Sequence, residues 1–167
     1  MNTIQAILNR RSIRKYADKS LSKDLILQLL KAGMYAPSAR NSRAWQFVVI
    51  QNREMLNQLS QLHPYGKMLQ EAASAILVCG DRSIEKTEGY LAINCAAATQ
   101  NILLAAHELG LGSVWLGVYP RQERMNEISE FLQLPGHLMP VSLISLGYPA
   151  EQRAFPGRFE LEKIIWK

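Results

Sequence analysis

Residues 10–15, Arg-Arg-Ser-Ile-Arg-Lys, place basic and hydroxyl side chains at a spacing that suits an anion. No helical period runs through this stretch, so we predict extended backbone, in which side chains alternate between two faces. Arg10, Ser12 and Arg14 would then share one face. Arginine donates paired, charge-assisted hydrogen bonds to phosphate or carboxylate groups. The pattern predicts an anion site, with a solvated basic turn after a helix as the alternative.

The charge distribution places this anion site in the first quarter of the chain. The 167 residues carry 19 basic and 14 acidic side chains, a net charge of +5. Residues 1–43 hold nine basic and two acidic groups, a net of +7, and residues 44–167 carry a net of −2. An excess confined to one segment indicates a local site and not a generally basic surface. Because helix-turn-helix, zinc-finger and RNA-binding signatures are absent, we expect no nucleic-acid partner.

A second polar cluster lies in residues 36–45, with the sequence APSARNSRAW. It falls between a predicted helix and a predicted strand, and loops in such positions carry function more often than core segments do. Ordinary helix-ending and turn chemistry explains the same residue types, because Ser and Asn favour turns.

Residues 110–117 contain three glycines in eight positions, so the backbone there can approach another group closely. The stretch follows a predicted helix and does not open one, so it is not the dinucleotide-binding fingerprint. A flat ring lying against exposed backbone amides fits it better, with a helix end and a tight turn as the alternative. Arg158 is a further candidate, although a lone arginine near a terminus is usually a surface residue.

Hydrophobic periodicity predicts the elements that position these clusters. We expect helices at 3–9, from the N-cap Ser22 to about 35, 53–62, 88–109 and 121–132, a helical turn at 67–73, and strands at 45–51, 75–80, 113–118 and 141–147. The tail, 152–167, has few core signals and is expected to lie along a surface or a partner. We predict one α+β domain, residues 1–167, with a small mixed or antiparallel sheet and helices around it.

The helix at 88–109 is apolar nearly all round, so it needs burial on more than one side, and one side could be a second subunit. Cys79 and Cys95 lie in apolar surroundings and are predicted to be buried thiols of a cytoplasmic protein. No apolar run is long enough for a membrane span, and no secretory signal is visible. His63, His107 and His137 are scattered, so we predict no metal site.

Four segments follow one another along almost the whole chain: RRSIRKY, APSARNSRAWQFVVI, NCAAATQNILLAAHELGLGSVWLG, and SLISLGYP with a later arginine and a terminal aromatic residue. In this order they resemble the motifs of the nitroreductase family of flavin-dependent oxidoreductases. The chain is short for that family and resembles its compact members. The resemblance implies an intertwined α+β homodimer with FMN at the subunit interface.

The resemblance also implies a set of cofactor-binding residues. Arg10, Arg11, Ser12 and Arg14 would bind FMN, with Arg158 joining the phosphate cluster, and Arg14 would place a cation beside N1 and O2 of the flavin. The remaining residues are expected to contact the flavin ring, the first three of them across the subunit interface: Pro37, Ser38, Asn41, Lys67, Trp115, Leu116 and Gly117. Hydride transfer at N5 needs no protein nucleophile, so we name no catalytic acid or base.

Three positions depart from the family pattern. Arg43-Ala44 replaces a Gln-Pro pair before Trp45, which adds charge near the substrate mouth. Pro156 stands where a lysine is frequent, which removes one phosphate contact that Arg153 is available to replace. Asn94 stands where Asp is common.

The resemblance predicts an FMN-dependent NAD(P)H oxidoreductase that works by a two-step exchange. Reduced nicotinamide would reduce the flavin, and a nitroaromatic, quinone or similar organic molecule would then accept the electrons. The alternatives are a specialised flavin enzyme of the same fold with another reaction, and an FMN-binding protein without turnover.

Overall fold

Four antiparallel strands and five helices form an α+β fold in the residues that the computed structural model describes, 2–154 and 157–167. The helices are α1 (Thr3–Asn9), α2 (Lys23–Met34), α3 (Arg53–Leu62), α4 (Glu88–Glu108) and α5 (Gln122–Phe131). The strands are β1 (Trp45–Ile50), β2 (Ser74–Asp81), β3 (Gly112–Gly117) and β4 (Leu138–Gly147). The predicted elements are confirmed, with their ends shifted by a few residues.

The sheet has the strand order β1-β2-β4-β3, so β3 lies at an edge. All three strand pairs are antiparallel, which decides between the mixed and antiparallel sheets that the sequence left open. Strand β4 begins three residues earlier than predicted, because Pro140 does not end it. The register shifts between Val78 and Cys79, opposite Pro140, and proline is tolerated in sheets at such irregularities.

Helix α4 lies at the centre of the helical layer, packing against all four strands and against α1 and α2. A Cβ at Gly33 of α2 would lie 3.0 Å from Ile102, so the two helices approach closely. Cys79 and Cys95 are buried free thiols, and burial raises the pKa of each to about 12. None of the helices in the described ranges combines the length and the hydropathy that a membrane span requires.

Two glycines let the N-terminal segment lie over the edge of the sheet. Gly112 of β3 and Gly147 of β4 are direct partners in the ladder. A Cβ at Gly112 would lie 2.7 Å from Ile13, and one at Gly147 would lie 2.8 Å from the ring of Tyr16. The close approach predicted for the glycine-rich stretch is therefore made in part to the chain's own N-terminal segment. Gly110 has a φ of 72° and ends α4, as its position predicts.

Candidate functional site

Residues 10–14 pair with the open edge of β3. Ser12 and Ser113 form a parallel bridge, and the N–H of Ile13 donates to the Ser113 carbonyl at 3.0 Å. Extended backbone gives the alternation predicted from the sequence. Arg14 lines a cavity of about 900 Å³, whereas Arg11 and Ile13 line a separate cavity of about 300 Å³.

The larger cavity brings together four of the predicted site residues. Its walls come from the end of β3, the segment after α3, the start of α5 and the extended N-terminal segment. The lining residues are Arg14, Leu62, His63, Pro64, Tyr65, Trp115, Leu116, Gly117, Arg121, Gln122, Glu123, Arg124 and Glu127. Its volume lies within the range of small-molecule sites, about 300–1,000 Å³.

The backbone N–H and carbonyl of Gly117 point toward the cavity side and away from β4. The N–H of Val118 donates to the Val141 carbonyl at 3.1 Å, so Val118 belongs to a hydrogen-bonded pair with β4. Because successive residues of an antiparallel strand alternate in this respect, the N–H and carbonyl of Gly117 point to the open edge. The carbonyl accepts from His63 Nε2 at 3.0 Å and from Arg124 Nη1 at 2.5 Å, both outside the sheet.

His63 is held in one protonation state by its neighbours. Its Nδ1 accepts from the N–H of Tyr65 at 3.2 Å, so the ring proton must be on Nε2, which donates to Gly117. Burial lowers the pKa of His63, and the nearby charge of Arg124 acts in the same direction. Sequence reasoning considered this histidine only as a metal ligand and missed it as a neutral donor, because its partner is a backbone carbonyl 54 residues away.

Arg10, Arg11 and Arg158 form a cation cluster at the C-terminal end of α1. Burial lowers the pKa of the half-buried Arg10, and the charges of Arg158 and Arg11 lower it further. Arg11 turns away from the 900 Å³ cavity: its guanidinium donates to the carbonyls of Leu8 and Arg10 at 2.8 Å and of Ala154 at 3.2 Å. Arg11 thus joins the end of α1 to the C-terminal segment, which is the part of the chain that follows β4.

The C-terminal segment also holds Arg14 in place. Glu151 accepts from the Arg14 backbone N–H at 2.6 Å, and this bond, followed by the Arg153 side chain, lowers the pKa of Glu151. Arg153 is paired with Glu151 at 3.0 Å, and its contact to a phosphate in place of the missing lysine stays a prediction. Pro156, the position of that departure, lies outside the described residues.

The loop at 38–44 contributes no residue to the 900 Å³ cavity of the same chain. Asn41 lines a different cavity, of about 500 Å³, together with Arg43 and Trp45. The loop contains a 3-10 turn, Ala39–Asn41, and has positive φ at three non-glycine residues: Arg40 (55°), Asn41 (52°) and Arg43 (48°). The sequence predicted a polar loop here but not this backbone.

Three side chains hold this loop in its left-handed conformation. Ser38 Oγ accepts from the Arg43 N–H at 3.0 Å, which leaves its hydroxyl proton available to a ligand. Buried Asn94 of α4 accepts from the Ala39 N–H at 2.9 Å. Glu85, which is 3% exposed, pairs with Arg40. Asn94 therefore keeps the acceptor oxygen that an Asp would supply at this position.

The remaining predicted residues lie apart from the cavity wall. Pro37 is exposed at the end of α2, and Lys67 is exposed in the 3-10 turn Lys67–Gln70, just beyond the cavity-lining segment.

Trp115, in contrast, lines the cavity. It is 36% exposed, so its indole lies at the cavity surface and not in the core. The other nine lining residues were not among the predicted site residues, and His63, Tyr65, Arg121 and Arg124 are four of them.

Comparison with known proteins gives a consistent family match. The sequence profile of the Nitroreductase family matches residues 7–77 and 61–148. A protein of Methanothermobacter thermautotrophicus, provisionally named NADH dehydrogenase/NAD(P)H nitroreductase, is 48% identical over 98% of this chain and 88% of its own.

Solved structures agree with the sequence match. A provisionally named NADH dehydrogenase/NAD(P)H nitroreductase from Parabacteroides distasonis superposes with a TM-score of 0.95 at 39% identity, covering 99% of this chain and 98% of that one. A Desulfovibrio desulfuricans protein, provisionally named a nitroreductase and solved in complex with FMN, has a TM-score of 0.85 at 34% identity, covering 100% and 97%.

Proposed function

This chain belongs to the nitroreductase family, and from that premise we propose an FMN-dependent oxidoreductase that takes hydride from NAD(P)H and passes electrons to a small organic acceptor. The observation that supports it best is a juxtaposition. Arg14 and the Trp115–Gly117 backbone meet at one cavity, and the extended segment that carries Arg14 also carries Arg10 and Arg11 of the cation cluster.

The residues present fit FMN. The like charges around Arg10 suit a phosphate, which carries close to two negative charges at neutral pH. A Cβ at Gly117 would meet nothing within 4 Å, so the wall there is open backbone against which a flat ring can lie. The two requirements of this cofactor, a cationic site and a planar wall, are met by the N-terminal segment and by the strand β3 to which it is bridged.

We propose that Arg10, Ser12 and Arg158 hold the phosphate, with Arg11 fixing the segment that carries them. Charge-assisted bonds from arginine suit a group that must be neutralised without a helix N-terminus. Arg11 would act on the phosphate indirectly, by fixing the segment, because its guanidinium donates to three backbone carbonyls.

Beside the ring, we assign Arg14, Trp115, Leu116 and Gly117. When bound, FMN supplies the hydride chemistry at its own ring. Arg14 would stabilise the negative charge of the reduced ring, and the outward N–H of Gly117 would donate to a ring atom. Trp115 and Leu116 would give the ring an apolar and aromatic surface.

We further propose a homodimer in which Pro37, Ser38 and Asn41 reach the flavin of the other subunit, as the resemblance implies. Exposed apolar side chains support a partner surface: Ile93 of α4 is 66% exposed, and Phe159 and Trp166 of the C-terminal segment are more than 80% exposed. Lys67 stays a candidate ring contact from the cavity rim. The two unpaired thiols support a cytoplasmic location.

The test is an anaerobic titration of the purified protein, loaded with FMN and desalted, using NADH and NADPH in turn. Flavin bands that remain after desalting and bleach on addition of either donor would support the oxidoreductase. Reoxidation by a quinone or nitroaromatic would then identify the acceptor class. Retained bands that do not bleach would favour a flavin carrier, and no retained flavin would contradict the proposal.

A further inference from the structure

We propose that His63 and Arg124 are positioning residues, which hold the Gly117 carbonyl so that the neighbouring N–H of Gly117 stays directed into the cavity. The inference deepens the proposed function and rests on it. Its basis is that two side chains from different elements donate to one backbone oxygen, His63 from the end of α3 and Arg124 from α5.

Gly117 needs such restraints because little else fixes it. A Cβ there would meet nothing within 4 Å, so packing does not hold this residue, and glycine has the widest backbone freedom. Gly117 is also the last residue of the edge strand β3. On the far side of the peptide, Val118 donates to Val141 at 3.1 Å. With His63 and Arg124 on the carbonyl, both polar ends of this peptide group are bonded.

The two donors suit this task in different ways. His63 is 2% exposed, and its bond from the Tyr65 N–H commits the Nε2 proton to Gly117. Arg124 lies on the accessible wall, and its bond to Gly117 keeps a cation beside the cavity that Arg14 also lines. Other charged groups line the same wall, Arg121, Glu123 and Glu127, but no bond from them to Gly117 is found in the described part of the chain.

The test compares substitutions that remove each donor with substitutions that keep one. His63→Leu and Arg124→Met remove the donor and keep the side-chain volume, whereas His63→Gln and Arg124→Lys keep an N–H near the same place. The FMN-loaded proteins are mixed with NADH and, separately, with NADPH in an anaerobic stopped-flow instrument. The limiting rate of flavin reduction, the visible spectrum of the bound flavin and the FMN affinity are recorded for each.

We expect His63→Leu and Arg124→Met to lower the limiting rate by roughly tenfold to a hundredfold, the range for small displacements in a reactive site. The flavin spectrum should shift, while FMN affinity, set mainly by the phosphate, should change less. His63→Gln and Arg124→Lys should restore most of the rate. Because both side chains act on one oxygen, the double substitution should lower the limiting rate by a smaller factor than the product of the two single-substitution factors.

Arg82→Met is the matched control, because Arg82 is a partly exposed arginine that pairs with Glu88 away from the cavity. It should leave rate and spectrum unchanged. If His63→Leu lowers only the melting temperature, with the rate and spectrum of wild type, the positioning role is wrong. Should that variant fail to fold, Arg124→Met decides by the same readouts.

The two proposals fail differently in this experiment. The proposed function, and this inference with it, is overturned if the wild-type protein does not retain FMN. The same holds if neither NADPH nor NADH reduces the bound flavin. A wild type that is reduced normally, with donor-removing variants that match it, overturns the positioning role alone.

Discussion

Two regions of the candidate site are built in opposite ways. The segment at 10–14 and strand β3 are held by backbone pairing, with glycines where the chains approach most closely. The loop at 38–44 has three non-glycine residues with positive φ and is held by side-chain contacts from Ser38, Glu85 and Asn94. Left-handed backbone at such residues costs free energy that these contacts must offset.

The difference predicts where each region is vulnerable. The paired region should tolerate most side-chain changes structurally, so substitutions there should alter cofactor binding and leave the fold intact. The loop depends on single buried side chains, so its substitutions should lower stability as well.

Removing Arg10 should have the largest effect. Arg10→Ala deletes the half-buried Arg10 of the cation cluster, and charge-assisted hydrogen bonds contribute about 1.5–3 kcal/mol each. We expect FMN affinity to fall roughly a hundredfold, measured by fluorescence titration of the apoprotein. Arg82→Ala is the control for loss of a positive charge elsewhere. Unchanged FMN affinity in folded Arg10→Ala would place the phosphate elsewhere.

Substituting Asn94 should release the loop. Asn94→Leu leaves the Ala39 N–H without its acceptor in a partly buried place, and we expect a loss of about 2 kcal/mol in the free energy of unfolding. Urea denaturation measures it. Asn94→Asp keeps the acceptor oxygen and should stay close to wild type. A Leu variant as stable as the Asp variant would show that Asn94 does not hold the loop.

Gly117 offers a substitution that removes one donor from the paired region. Gly117→Pro deletes the N–H that faces the cavity without removing a ladder hydrogen bond, and edge strands accept proline in that orientation. We expect roughly a tenfold weaker interaction with the flavin, at near wild-type stability. Gly117→Ala retains the N–H and adds a Cβ to the same open wall, so it controls for the added volume and should bind FMN more tightly than Gly117→Pro. Equal binding by the two variants would contradict the role of this N–H.

Removing the Arg14 guanidinium should change the reduction potential of the flavin without unfolding the site. Arg14→Ala should lower the two-electron reduction potential by about 20 mV, equivalent to about 1 kcal/mol, because a cation beside the reduced ring is lost. Arg14→Lys keeps the charge and should show a smaller shift. The potentials are measured against a reference dye at equilibrium, and an unchanged value in Arg14→Ala removes Arg14 from this role.

The smallest expected effect is on the pH dependence of stability. Burial lowers the pKa of His63 in the folded protein below the unfolded value of about 6.5. The unfolded state therefore binds more protons on acidification, and His63 disfavours folding progressively as the pH falls through that range. His63→Gln should flatten the decline in stability between about pH 7 and about pH 5. His107, whose pKa burial also lowers, should leave a residual slope. A slope identical to wild type would show that His63 does not contribute.

Sequence reasoning located the paired region because its signals are local. Alternation placed Arg14 on a different face from Arg11, and both cavities agree with that placement. Periodicity gave the helices and strands, and Ser22 caps α2 as its position suggested. The family motifs added the cofactor, which no spacing of residues specifies.

The rest could not be predicted, because it depends on contacts between distant residues. Nothing near residue 40 in the sequence indicates that Asn94 and Glu85 hold three left-handed residues there. The role of His63 depends on a backbone carbonyl at position 117. The hydrophobic pattern predicts that this strand begins at residue 141, just after Pro140, yet a shift of register opposite Pro140 lets β4 begin at Leu138.

The most direct test of the phosphate site compares FMN with riboflavin, which has the same ring and no phosphate, in titrations of the apoprotein. We expect wild type to bind FMN roughly a hundredfold more tightly than riboflavin. We also expect Arg10→Ala to abolish most of this difference while riboflavin binding persists. Equal affinity for the two flavins in wild type would contradict the assignment of the cation cluster to the phosphate.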